Sequence, residues 1–133
     1  MTNSKLRDIL DLTGFSVRRH DDGRYVVVFG ADEDFRKDII VVFIPEENGL
    51  KTLALAGDYT IPSDKISNAL LLCNKWMHEK KFARPYVKMD ESIFVVEENL
   101  LYEDTLPDSY VANWVKLAAL ASCCFYAEAG KEI

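Results

Sequence analysis

The stretch that decides the fold reads Asn74-Lys75-Trp76 and then, after five intervening residues, Phe82-Ala83-Arg84-Pro85-Tyr86. The apolar spacing before it predicts an amphipathic helix, which Pro62-Ser63-Asp64 opens with Ser63 or its neighbour as the N-cap. The aromatic and β-branched residues after it predict a strand over residues 82–89. A helix that passes almost directly into a strand indicates a domain that combines helices with a sheet.

Upstream of this stretch, the spacing of Leu6, Ile9 and Leu10 predicts a helix over residues 4–13, which Gly14 ends. Four strands follow, and Asp22-Gly23 and Asn48-Gly49 predict tight turns between members of the two pairs. Strands that are joined by such short turns must be antiparallel neighbours. The predicted strands are residues 15–18, 25–29, 38–44 (stopped by Pro45) and 50–56.

Downstream, residues 93–96 predict a sixth strand. A last helix then begins near the capping-box-like Thr105-Leu106-Pro107-Asp108 and ends at Gly130. The predicted order is α-β-β-β-β-α-β-β-α, which is typical of an α+β fold with a mostly antiparallel, twisted sheet and helices packed on it. The length of 133 residues predicts a single domain over residues 1–133.

Composition narrows the classes of function. The chain carries a net charge of −6, and residues 90–133 hold nine carboxylates but only two basic side chains. This balance disfavours nucleic acid and anionic membranes as partners. We expect no signal peptide, since residues 1–7 hold no apolar run, and no membrane span, since the longest apolar run covers only residues 117–127. Three cysteines, an odd number, indicate reduced thiols and a cytoplasmic location.

No residue pattern predicts an active site, a metal or a cofactor. His20 and His78 lie far apart and lack metal-ligand spacing, so we interpret them as exposed polar residues. The six glycines are isolated, which excludes a phosphate-binding loop. Cys73 lies on the predicted core face, where a thiol is unreactive. The sequence therefore predicts a protein that is not an enzyme and holds neither a cofactor nor a metal.

A basic cluster surrounds the opening stretch. It complements the dipole at a helix C-terminus, which is the simplest interpretation. It could also form a patch for an anion or an acidic partner, and binding of nucleic acid is a third alternative that no known motif supports. Its members are Lys75, His78, Lys80, Lys81, Arg84 and Lys88.

With these elements in place, the chain resembles the YbjN-type family of bacterial sensory transduction regulators. That family shows a strand cluster, a helix led by proline and ending in Asn-x-Trp-Asn, a basic-aromatic strand entry and a final helix. Met77 stands where the family has its second Asn, so no role of that amide carries over. The residues that carry the resemblance are Pro62, Leu70, Asn74, Trp76, residues 81–84 and Tyr86.

The resemblance implies a fold similar to type III secretion chaperones, which are commonly dimers that bind segments of other proteins. In such a fold Trp76 would fill the corner between helix and sheet, Asn74 would bind backbone groups at the helix end, and Arg84 would pair with a carboxylate. The candidate site is accordingly a family motif with a structural or partner-binding role, formed by Asn74, Trp76, Phe82, Arg84 and Tyr86.

Two hypotheses about function follow. The first is a non-enzymatic cytoplasmic module, chaperone-like or regulatory, that binds an unidentified protein and acts as a homodimer. The alternative is a small-molecule-binding or catalytic domain that uses a pocket near Arg84 and His78. A closed pocket in which these two side chains and a carboxylate converge would favour the alternative.

Overall fold

The computed structural model describes residues 1–80 and 82–133. Lys81, which belongs to both the basic cluster and the family motif, lies outside the described residues. The described residues form the predicted order of helices and strands. The helices are α1 (Asn3–Asp11), α2 (Ile66–Glu79, preceded by a 3-10 turn, Ser63–Lys65) and α3 (Asp108–Glu132). The strands are β1 (Val17–Arg19), β2 (Tyr25–Phe29), β3 (Ile39–Glu46), β4 (Gly49–Ala56), β5 (Arg84–Lys88) and β6 (Ile93–Leu101).

The strands form one sheet in the order β1-β2-β3-β4-β6-β5, and every neighbouring pair is antiparallel. The predicted α+β class with an antiparallel sheet is confirmed. Because β6 lies between β4 and β5, α2 leads the chain from the central strand β4 to the far edge. Pro85 lies in this edge strand, where the missing N–H of proline is tolerated.

The helices cover one face of the sheet, which we call the inner face. Val41 and Phe43 of β3 are fully buried there, whereas Ile40 and Val42, which alternate with them, lie outside the core cluster. The fully buried Tyr126 of α3 fixes this layer to the sheet, because its hydroxyl is shared between the carbonyls of Ala54 (3.0 Å) and Phe94 (3.1 Å). All three helices contribute side chains to the same continuous core.

The predicted end of the third strand at Pro45 is wrong, because β3 continues to Glu46. Pairing of β2 with β3 stops at Phe43, so Pro45 has a strand neighbour only on the β4 side, where it faces Leu50. A proline is accommodated in a strand whose other side is open. Strand β6 is also longer than predicted, since its pairing with β4 carries it through polar residues to Leu101.

Gly130 does not end the last helix, which continues to Glu132. A Cβ atom at this position would overlap the backbone oxygen of Asp34, which lies in the loop between β2 and β3. Glycine is therefore required for close packing of a helix against a loop rather than for a left-handed cap. Despite the 25 residues of α3, none of the helices in the described part is long and apolar enough to cross a membrane.

The side-chain caps predicted for the second and third helices are not formed, although Pro62, the neighbour of Ser63, is the N-cap residue of the 3-10 turn and Asp64 lies in its first turn. Ser63 starts a 3-10 turn without a side-chain cap, and α3 begins after Pro107 rather than at a Thr105 cap. The side chain that does cap a helix is that of Thr2, which accepts a hydrogen bond from the Lys5 N–H at 3.1 Å. Packing of the apolar faces, rather than capping, thus decides where α2 and α3 begin.

Candidate functional site

Trp76 and Phe82 of the sequence motif meet at the corner between α2 and β5. Trp76 is only 9% exposed and lies edge-on to Phe125 of α3, with 5.4 Å between ring centroids. Its indole N–H donates a hydrogen bond to the Phe82 carbonyl at 3.3 Å, and the Phe82 ring contacts Trp114 edge-on at 6.2 Å. The expected burial of Trp76 is confirmed, and the geometry assigns it a packing role.

Asn74 does not occupy this corner. Its side chain is exposed on α2 and makes no hydrogen bond to another described residue, contrary to the predicted role at the helix end. The end of α2 is closed instead by the backbone, where the Lys80 N–H donates to the Trp76 carbonyl at 2.8 Å. Because a backbone donor satisfies this carbonyl, no side-chain amide is required.

Arg84 and Tyr86 lie on the opposite face of the sheet from Trp76. Arg84 and Tyr86 are both exposed, and they alternate along the strand with the inward-facing Pro85 and Val87. No carboxylate oxygen of the described residues lies within 4.0 Å of Arg84, so the predicted ion pair is not formed, although its cross-strand neighbour is Glu97. The five motif residues are therefore divided between two faces and do not form one site.

A strained residue separates the two halves of the motif. Ala83 is 2% exposed and has a φ of 71°, a left-handed conformation that costs energy for a residue with a Cβ. Glu98 lies beside it on the inner face, opposite Thr52. Burial raises the pKa of Glu98, while the Ala83 N–H and the Arg84 guanidinium act in the opposite direction. The hydrogen bond from the Ala83 N–H to Glu98 therefore helps to hold Ala83 in this conformation, at the point where the chain turns from α2 into β5.

A second candidate site, larger than the motif corner, is the face of the sheet that no helix covers, which we call the outer face. Antiparallel sheets usually present polar side chains to solvent on their uncovered face. Here the side chains on that face are mostly apolar, and none of them belongs to the core cluster. Val28, Tyr86 and Leu101 are exposed, and Val26 and Val95 are buried. The other apolar side chains of the face are partly exposed. The apolar residues of the outer face are Val26, Val28, Ile40, Val42, Ile44, Leu53, Leu55, Tyr86, Ile93, Val95 and Leu101.

A groove of about 400 Å³ lies at one end of the outer face. Its floor is apolar, and the β1–β2 hairpin supplies charged side chains along its wall. Within the hairpin, Asp22 lies 3.4 Å from His20 and 3.8 Å from Arg24, while Arg18 has no carboxylate within 4.0 Å among the described residues. The groove therefore combines an apolar surface with an unpaired cation.

The basic cluster is not one surface. Lys75 and Lys80 line a cavity of about 270 Å³ on the helical side, where Glu79 and Glu128 offset their charge. Two further members of the cluster, Arg84 and Lys88, belong to strand β5 and lie on the outer face.

His78 is exposed on α2, on the helical side of the molecule. It therefore does not converge with Arg84, which lies on the outer face. The pocket required by the small-molecule alternative is not formed by these two residues.

The thiols of Cys73 and Cys123 are unreactive. Burial raises the pKa of Cys73 to about 12 and that of Cys123 to about 11, which keeps both thiols protonated at neutral pH. Across residues 1–80 and 82–133, no three side chains of the His, Cys, Asp and Glu types are grouped as metal ligands.

The sequence contained a signal for the outer face that the motif-based reasoning missed. Residues 25–29 and 39–44 are continuous apolar runs, without the alternation of a strand that is solvated on one side. Such runs are typical of strands that are covered on both faces. In this structure the helices cover only the inner face.

Comparison with known proteins agrees with this architecture. The family described as "YbjN: Putative bacterial sensory transduction regulator" matches residues 3–131. The crystal structure of YbjN from E. coli, described as "a putative transcription regulator", is similar in fold, with a TM-score of 0.75 and 14% sequence identity over 98% of this chain and 93% of that chain. No curated protein matches the sequence. The family is described as one of regulators, and this chain belongs to the YbjN family.

Proposed function

We propose that the protein is a non-enzymatic, cytoplasmic module, chaperone-like or regulatory, that binds another protein through the outer face of its sheet. The observation that carries this proposal is the row of apolar side chains outside the core, on a face that no helix covers. Contiguous apolar surface that a folded domain leaves accessible is typical of interaction sites. The membership of a family of regulators and the free cysteines are consistent with the proposal.

A protein fits the outer face better than a small molecule does. Small ligands are mostly enclosed by the concave sites that bind them. The groove at the β1–β2 hairpin is instead an open part of a surface that crosses the sheet from β2 to β5. A broad, open apolar surface is buried effectively only by another protein surface.

The test compares two substitutions that introduce the same charge on opposite sides of the molecule. Val42→Glu places a carboxylate in the middle of the outer face, whereas Leu71→Glu places one on α2, where Leu71 is 68% exposed. We expect Val42→Glu to reduce the recovery of a partner from an extract of the native cells at least tenfold, since burial of an unpaired charge is costly. Recovery is measured by affinity capture and quantitative mass spectrometry.

The Leu71→Glu variant is expected to retain the partner. Thermal unfolding of both variants is the check that each is folded. Equal losses in the two variants, or recovery of no partner above background with the wild-type protein, would contradict the use of the outer face.

We further propose that the protein is a homodimer that forms through α3. Tyr110, Leu117 and Leu120 are 55%, 59% and 51% exposed on the side of this helix away from the core, and the exposed Asn113 and Cys124 continue the same stripe. The spacing of 110, 113, 117, 120 and 124 is that of a coiled-coil seam. The stripe carries no charge and has Leu117 at its centre, so two copies related by a twofold axis can pair without repulsion.

Leu117→Glu is expected to convert this dimer to a monomer, because two carboxylates would meet at the twofold axis. The dimer dissociation constant is expected to rise about 100-fold or more. Light scattering coupled to size-exclusion chromatography should change from twice the chain mass of 15.2 kDa to that mass. Val42→Glu is the control and should stay dimeric. A wild-type protein that is monomeric at about 0.1 mM, far above the dissociation constant of a stable dimer, would refute the homodimer.

A further inference from the structure

One line of side chains crosses all six strands of the outer face. The pairing registers align Arg18 with Val26, Val26 with Val42 and Val42 with Leu53, and the line then continues through Glu97 to Arg84. Its centre is therefore apolar, and an arginine stands at each edge of the sheet. The complete line is Arg18, Val26, Val42, Leu53, Glu97 and Arg84.

The two arginines differ from the other cations of the outer face. Lys51 lies 3.7 Å from Glu46, and Lys88 lies 2.9 Å from Glu91, so both lysines are already paired. Arg18 and Arg84 are exposed, and neither has a carboxylate oxygen within 4.0 Å in the part of the chain that the structure describes. Their guanidinium groups remain able to bind the carboxylates of a partner.

The charge of the outer face also favours an acidic partner. Its strands present four cations, namely Arg18, Lys51, Arg84 and Lys88, against the carboxylates of Glu46 and Glu97. Glu91, which pairs with Lys88, reduces the excess to one positive charge. The chain as a whole has a net charge of −6. A locally positive face on an acidic protein attracts acidic segments, which the rest of the surface repels.

The dimensions of the line indicate the shape of the partner. Five steps between neighbouring strands of about 4.8 Å each separate the two arginines by about 24 Å. A helix spans this distance with about 16 residues. The backbone groups of the central strands are already paired within the sheet, so an extended segment laid across them would leave its own backbone groups unsatisfied. A helix satisfies these groups internally.

We propose that the outer face binds an acidic amphipathic helix of a partner protein. The helix lies across the strands, with its apolar side on the partly exposed Val42 and Leu53. Carboxylates at its two ends face Arg18 and Arg84. This inference rests on the proposed function, because it specifies the partner of the same surface.

The test uses two synthetic helical peptides of about 18 residues, long enough to span the line, that carry a fluorescent label and share one leucine-rich face. One peptide has glutamates in its first and last turns, and the other has lysines there. Fluorescence anisotropy at low ionic strength should show that the wild-type protein binds the glutamate peptide about tenfold more tightly than the lysine peptide. The double variant with Arg18→Glu and Arg84→Glu should show the reverse preference, and added salt should weaken both preferences.

The outcomes separate this inference from the proposed function. Equal affinity of the wild-type protein for the two peptides, no binding of either peptide, or an unchanged preference in the double variant would overturn the acidic helix. In each of these cases the proposed function stands if partner capture from cells is lost with Val42→Glu. If Val42→Glu leaves that capture intact, the proposed function itself fails.

Discussion

Trp76→Ala is expected to lower the free energy of unfolding by about 3–5 kcal/mol, the range observed when a large buried aromatic side chain is truncated. The indole is 9% exposed, contacts Phe125 edge-on and donates a hydrogen bond to the Phe82 carbonyl. Truncation would leave a cavity where α2, α3 and the entry to β5 meet. Urea denaturation at a fixed protein concentration measures the change.

Two further variants make the result interpretable. Trp76→Phe retains an aromatic ring but removes the indole N–H, so a smaller loss of about 1–2 kcal/mol is expected. Met77→Ala alters the next residue of the same helix, which is 45% exposed, and should change stability by less than about 0.5 kcal/mol. If Trp76→Ala lowers the free energy of unfolding no more than Met77→Ala does, Trp76 does not stabilise the corner between α2 and β5.

Gly130→Ala is expected to be destabilising by about 1–3 kcal/mol, the cost of overpacking a closely fitted contact. Helix propensity alone predicts the opposite sign, since alanine is favoured over glycine within a helix by about 1 kcal/mol. The added Cβ would overlap the backbone oxygen of Asp34, and a backbone atom cannot rotate away as a side chain can. The loop that contains Asp34 would have to separate from α3.

Gly30→Ala is the matched control for this substitution. No atom lies within 4 Å of the Cβ position at Gly30, and its φ lies outside the left-handed region. The substitution should be neutral or stabilising by up to about 1 kcal/mol, because it restricts the unfolded chain. Thermal unfolding of the Gly130→Ala variant should therefore shift to lower temperature while that of the control does not, and a lowered temperature for both would contradict the packing role of Gly130.

Much of the fold could be predicted because it depends on short-range patterns. The spacing of Leu6, Ile9 and Leu10 corresponds to the buried side of α1, and the turns at Gly23 and before Gly49 join antiparallel strands. The burial of Trp76 could also be predicted, because it continues the apolar stripe of α2. In each case the pattern lies within the helix, strand or turn that it predicts, or within a few residues of it.

The predictions failed where the deciding contact comes from a distant part of the chain. Arg84 and Trp76 are near neighbours in sequence, but pairing with Glu97 of β6 places Arg84 on the outer face, whereas Trp76 packs against Phe125 of α3. Gly130 has the sequence context of a helix end, yet its role depends on the backbone of Asp34. Neither relationship is visible in local patterns, because both depend on packing between elements.

The sequence by itself determined the α+β class, the order of the elements and the apolar character of the strands, since periodicity and turn chemistry are local properties. Only the tertiary structure decided which face of the sheet the helices cover, and hence which apolar residues remain outside the core. It also placed Arg18 and Arg84, which are distant in the chain, at the two ends of one line. That placement depends on the register of five strand pairings, which arises from the simultaneous packing of all six strands against one layer of helices.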